Sequence, residues 1–66
     1  LKKEDIRNFL LLEQEKVKEL ITEHFSEMNF EYTTSKEKFT DLKSENKNVF
    51  LVKDGTIVAF SLRKES

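Results

Sequence analysis

The sequence has no cysteine, no proline, no tryptophan, one glycine and one histidine. Without cysteine, disulfides and thiolate metal sites are excluded and the redox compartment is left open. With His24 as the only imidazole, the four ligands of a structural zinc site cannot be assembled, so no metal is expected. A basic excess is lacking too: 12 Lys and Arg stand interspersed with 13 Asp and Glu, for a net charge of −1. Nucleic-acid modules concentrate positive charge on one face, so no nucleic-acid partner is expected. No apolar run approaches the roughly 20 residues of a membrane span, and Phe9, Leu10, Leu11 and Leu12 are too short a run for a signal-peptide core. The expectation is a soluble, cytoplasmic chain with no membrane partner.

Motifs that carry chemistry are equally scarce. There is no phosphate-cradling glycine-rich loop, nucleophile elbow, paired histidine or carboxylate pair on rigid elements, so no cofactor and no catalytic residue is expected. The 66 residues make one domain, residues 1–66, whose core is marginal at this length. A protein partner, self or other, or a missing part of the chain is the expected further source of stability. Leu1 in place of an initiator Met suggests a processed or excised segment.

What is present is organised around residues 48–63, NVFLVKDGTIVAFSLR. Asp54-Gly55 between two apolar runs signals a two-residue type I′ turn, because both central residues of that turn need φ > 0. The simplest register pairs Lys53 with Thr56, Val52 with Ile57, Leu51 with Val58, Phe50 with Ala59 and Val49 with Phe60. One face then carries Phe50, Val52, Ile57 and Ala59, and the other carries Val49, Leu51, Val58, Phe60 and Leu62. Both faces are apolar, as in strands covered on two sides. One helix covers only one of them.

Residues 5–28 lack Gly and Pro and are rich in good helix formers. At 100° per residue Ile6, Phe9, Leu10, Val17, Leu20, Ile21, His24, Phe25 and Met28 share one broad face, with Asn29 as a left-handed stop. Glu13 falls near the middle of that face while Leu11 and Leu12 fall off it. A break at residues 12–14, splitting the segment into two helices, accounts for both. Residues 29–33 alternate and form either a short third strand or an apolar anchor in a loop. Thr34 and Glu37 fit a capping box that opens a short helix from Ser35 to about Glu45, presenting Phe39 and Leu42 inward. The charged tail from Arg63 to Ser66 is expected to fray. The fold class that follows is α+β: a long or broken N-terminal helix, a short second helix and a C-terminal antiparallel hairpin.

Among single residues, His24 is the side chain that titrates nearest neutral pH, but no nucleophile or carboxylate at motif spacing accompanies it. It reads as a partly buried helix histidine bonded to a neighbour. Glu13 reads as an edge carboxylate at the helix break. Glu15, Glu19, Glu23 and Glu27 form an i, i+4 ridge that reads as a solvated face and, alternatively, as a dock for a basic partner. The expected interface combines Leu11 and Leu12 with the open hairpin face of Val49, Leu51, Val58, Phe60 and Leu62, since contiguous exposed apolar area marks binding sites. The function expected is a non-enzymatic protein-interaction module, self-associating or docking a partner.

Two resemblances bear on the alternative. The opening phrase L-x-x-E-D-I at residues 1–6 and the hairpin phrase at residues 49–60 resemble the N-terminal half of GNAT-superfamily N-acetyltransferases, in which such a hairpin forms strands two and three. Ala59 stands where that family commonly has Gly. The family's acetyl-CoA pyrophosphate loop and its strands from four onward have no counterpart here, so the resemblance implies a truncated or derived acyltransferase-like fragment without a cofactor site. A helix leading into an apolar hairpin is also similar to the small domain that precedes PUA domains in RNA-associated proteins. Their Pro-Thr-Leu phrase is lacking here, and no site residue carries over.

Overall fold

A computed structural model describes residues 3–65. Leu1 and Lys2 of the opening phrase, and Ser66 of the tail, lie outside the described residues. In chain order the elements are α1 (Lys3–Arg7), α2 (Gln14–His24), β1 (Phe30–Thr33), α3 (Lys36–Ser44), β2 (Asn48–Lys53) and β3 (Thr56–Ser61). The protein is α+β, with helices packed on a mixed sheet of strand order β1-β2-β3.

The N-terminal segment breaks where Glu13 would otherwise enter the core. After α1 the chain tightens into three-residue turns, with Phe9 N–H donating to the Ile6 carbonyl at 2.9 Å and Leu12 N–H to that of Phe9 at 3.1 Å. Leu11 then takes φ 70°, in the left-handed region. Residues 11–14 pass alongside the start of β3. Leu11 N–H donates to the Ile57 carbonyl (2.8 Å), Ile57 N–H to the Leu12 carbonyl (2.9 Å) and Gln14 N–H to the Gly55 carbonyl (2.7 Å). Glu13 thereby sits opposite Thr56 with its carboxylate in solvent. α2 ends at His24 rather than running on to Met28, because Phe25 turns in to meet Phe9 edge-on at 5.9 Å and Asn29 keeps a negative φ.

β1 forms as the third strand and lies parallel to β2, with Tyr32 opposite Phe50. The crossover between them is α3. Its cap is Ser35, not Thr34: the Ser35 hydroxyl accepts from Lys38 N–H at 3.2 Å, and the Thr33 hydroxyl accepts from Ser35 N–H at 3.1 Å. Its far end closes with Asn46 at φ 59°, Lys47 N–H reaching back to the Leu42 carbonyl and Asn46 N–H to that of Lys43. That is a Schellman stop, with asparagine in the position glycine usually takes.

The hairpin turns at Asp54 (φ 52°) and Gly55 (φ 78°), the two positive φ values a type I′ turn demands. Its register departs from the simplest one. Lys53↔Thr56 and Val52↔Ile57 pair as expected, but Leu51 pairs with Ala59, Phe50 with Phe60 and Val49 with Ser61. Val58 is therefore an inserted residue. A β-bulge of this kind shifts every later side chain by one position and so exchanges their faces.

The exchange reassigns the two faces. Phe50, Val52 and Ile57 pack with Ile6, Phe9, Val17 and Ile21 in one core under α1 and α2. Phe60 and Leu62 join this core, not the face of Val49. Phe30 and Tyr32 stack on Phe50 from the neighbouring strand, with ring centroids 4.6 and 5.4 Å away. On the opposite face α3 covers β2, burying Leu42 and fully enclosing Val49. The β2 part of the second apolar face is thus covered by this chain's own third helix, while Val58 on β3 stays exposed.

The tail is held along the described residues. The Asn46 amide accepts from Lys64 N–H at 2.8 Å and donates to the Lys64 carbonyl at 3.0 Å. Asn48 accepts from Arg63 N–H at 2.8 Å and donates to the Asn29 carbonyl at 3.4 Å. Side-chain amides here take the place of a further strand, so residues 63 and 64 are pinned rather than frayed.

Candidate functional site

A mixed sheet of three strands has two edges, and this one treats them differently. β1 is short and guarded by charge. Glu31 pairs with Lys47 at 3.6 Å, and Lys18 Nζ lies 5.3 Å from the centre of the Tyr32 ring. Short length and charged side chains are the usual means of keeping an edge strand from pairing with other chains.

β3 has no such guard. Residues 56–62 contain no charged side chain, in a chain of which 38% of residues are charged. Its first two residues are occupied by the 11–14 segment. From Val58 onward no other segment of the described residues pairs with its outer edge. The direction of the free groups follows from β2. Facing residues of an antiparallel pair alternate between exchanging hydrogen bonds and turning them away. Ile57, opposite Val52, turns its N–H and C=O outward to Leu12 and Leu11. Phe50 lies two residues from Val52 on the unbroken strand, so its partner Phe60 also turns its N–H and C=O outward.

Beside this edge lie the exposed large hydrophobic side chains of the described residues, Leu11 at 78% exposure and Val58 at 40%. The Leu11 N–H bond to the Ile57 carbonyl brings the two backbones together, since that carbonyl belongs to the peptide joining Ile57 to Val58. Leucine in the left-handed region costs roughly 1–2 kcal/mol relative to right-handed backbone. At Leu11 that cost is offset by little burial.

The seven residues of the expected interface are therefore divided. Leu11 and Val58 are at the surface next to one another. Leu12, Phe60 and Leu62 are half-buried against the α1–α2 core, Leu51 is half-buried on the α3 side, and Val49 is enclosed and has nothing to offer a partner. The reason is the inserted Val58, which the pairing rules alone do not reveal. The outward backbone of Phe60 is a feature that side-chain patterning misses, because it belongs to the main chain.

The remaining candidates do not converge. His24 is exposed at the end of α2, 3.8 Å from Glu23, rather than partly buried and hydrogen-bonded. Glu13 is the exposed carboxylate at the helix break. Glu15, Glu19 and Glu23 line the exposed side of α2, while Glu27 lies past its end and leaves the ridge. Among the described residues no group of His, Asp and Glu could hold a metal ion. A surface groove of about 490 Å³ between α3 and the end of β3 is lined by Lys43, Asn46, Ser61 and Lys64 among others and holds no nucleophile paired with a base. Burial pushes the Tyr32 phenol above its ordinary pKa. No helix of the described residues is long and apolar enough to cross a membrane. No protein-family model, curated protein or solved structure matches the chain.

Proposed function

We propose that this domain is a non-enzymatic protein-interaction module that receives an extended strand along the outer edge of β3, with Leu11 and Val58 as its apolar anchor. The observation that carries the reading is the combination at one place of an uncharged, unpaired edge and a strained, exposed leucine. Strand addition supplies main-chain hydrogen bonds for affinity and alternate side-chain contacts for choice of partner. The outward N–H and C=O of Phe60 supply the first, and the Leu11–Val58 patch the second. The guarded β1 edge supports a single docking side.

The test is a display selection on the purified domain with a library of short unstructured peptides, followed by amide exchange on the selected complexes. Selected peptides should slow exchange at residues 58–62, and their binding should be lost in Val58→Lys and in Leu11→Asp while both variants keep the parent circular dichroism spectrum. Protection confined to α2, α3 or β1 would refute the reading, as would unchanged binding by both variants.

A further inference from the structure

The hairpin turn joins a reactive dipeptide to a restraint from elsewhere in the chain. Asp54 is exposed, and among the described residues its carboxylate makes no ion pair and no side-chain hydrogen bond. Gly55 follows it at φ 78°, with no heavy atom within 4 Å of where a Cβ would stand. An aspartate followed by a residue without a side chain is open to attack by its neighbour's backbone nitrogen. Asp5 and Asp41 lack that opening, because Ile6 and Leu42 follow them with bulky side chains.

We propose that Asp54-Gly55 is a site of self-modification, at which aspartate isomerises to isoaspartate, and that the hydrogen bond from Gln14 N–H to the Gly55 carbonyl is the catch that slows it. The Gly55 nitrogen adds to Cγ of Asp54, and a carboxyl oxygen leaves as water with the amide proton and the carboxyl proton. A cyclic imide results. Water then adds to one of its two carbonyl carbons. Addition at Cγ restores aspartate; addition at the α-carbonyl breaks the original peptide bond and leaves Gly55 joined through Cγ, with a free α-carboxylate. No oxidant, cofactor or second protein enters the balance.

The closed turn holds the reacting atoms apart. Type I′ geometry sets ψ of its first central residue at about +30°, and ring closure needs a rotation of roughly 150° about that bond to bring the nitrogen to the side of Cβ. Reaction therefore waits for the turn to open. Opening must break what pins it: Gln14 N–H donates to the Gly55 carbonyl at 2.7 Å, and Glu13 bridges to Thr56 beside it. One such hydrogen bond is worth roughly two- to tenfold in the opening equilibrium. In the product the main chain carries one more carbon, too long for a two-residue turn. The Gly55 carbonyl then leaves Gln14, and the 11–14 segment loses an anchor.

Gln14 suits a direct test. It is the first residue of α2, where proline is tolerated, and Glu13 before it stands at φ −67° and ψ 143°, the extended backbone that a residue before proline takes. Gln14→Pro removes the donor, while Gln14→Ala keeps it. The protein is incubated at neutral pH in water enriched in heavy oxygen, which labels a carboxylate each time the imide opens, and peptide mass spectrometry places the label. Label should accumulate at Asp54 and not at Asp5 or Asp41, at least about tenfold more slowly in the folded chain than in the chain unfolded by urea. Gln14→Pro should speed it roughly two- to tenfold over the parent, and Gln14→Ala should match the parent. No label at Asp54 in the unfolded chain overturns the site, and equal rates in the parent and Gln14→Pro overturn the catch. If Gln14→Pro instead loosens the whole domain, which amide exchange in α3 reveals, a urea series on the parent decides. A labelling rate that stays flat until near the unfolding midpoint supports local opening of the turn, and one that follows the unfolded fraction from the lowest urea overturns it.

Discussion

Leu11 offers a pair of substitutions whose relative effect can be worked out before they are made. The residue stands at φ 70° and is 78% exposed. An L-residue held there pays roughly 1–2 kcal/mol that glycine does not. Against this, glycine's freer unfolded chain costs roughly 0.4–1 kcal/mol relative to alanine. Leu11→Gly should therefore be more stable than Leu11→Ala by about 0–1.6 kcal/mol, centred near 0.8. This reverses the order found inside helices and strands, where glycine is worse than alanine by roughly 0.5–1 kcal/mol. The truncation itself should be mild. Full burial of a leucine side chain is worth about 1.5–3 kcal/mol, and only a fifth or so of Leu11 is covered, so Leu11→Ala should cost less than about 1 kcal/mol. Urea unfolding followed by far-ultraviolet circular dichroism reads both effects, at low protein concentration so that association adds nothing to the midpoint. With a slope of about 1 kcal/mol per molar, the two midpoints should differ by several tenths of a molar, glycine higher. An alanine variant more stable than the glycine variant would refute the left-handed assignment. A loss of about 2 kcal/mol or more in Leu11→Ala, the size of a core truncation, would refute the exposed anchor.

The cap of α3 makes a second comparison: Ser35→Ala should cost about 1 kcal/mol while Thr34→Ala stays within about 0.5 kcal/mol, and equal costs in urea unfolding would place the cap elsewhere. Tyr32 gives a pH dependence with a definite sign. Burial raises the folded-state pKa of its phenol above the unfolded value of about 10, so its contribution is present in full below that pH and is lost as pH rises through the folded value. Melting temperature should fall as pH rises above about 10, and that of Tyr32→Phe should fall less steeply; parallel declines in parent and variant would remove Tyr32 as a cause.

Much of the fold can be read along the chain because its signals are local. Asp54-Gly55 announces the turn by backbone sterics alone, and the misplaced Glu13, by its angle on the helical wheel, raises a helix break as one of two readings. The alternation of Phe30 and Tyr32 leaves a strand open as one of two readings, and the sheet supplies the partner that decides it. Where the reading and the structure part, the deciding contact is distant in sequence. Phe25 leaves its helix to meet Phe9, and Arg63 and Lys64 are held by asparagines that propensity alone would assign to a loop. Ser35 rather than Thr34 caps α3 because Thr33 is the last residue of β1 and its hydroxyl already holds Ser35 N–H.

By itself the sequence determines the α+β class, the C-terminal hairpin with its type I′ turn, the short helix before it and the absence of cysteine chemistry, all of which follow from single residues or their immediate neighbours. It also determines that both faces of the hairpin are apolar. Only the tertiary structure decides what those faces meet. Val58 is inserted into the ladder, Phe60 and Leu62 cross to the α1–α2 side, and α3 closes over Val49. Residue patterning assigns side chains to faces, but register depends on how two whole strands settle against the layers on either side. The same settling leaves free groups along an edge of β3 rather than on a face, and side-chain patterning misses them because they belong to the backbone, which every residue carries alike.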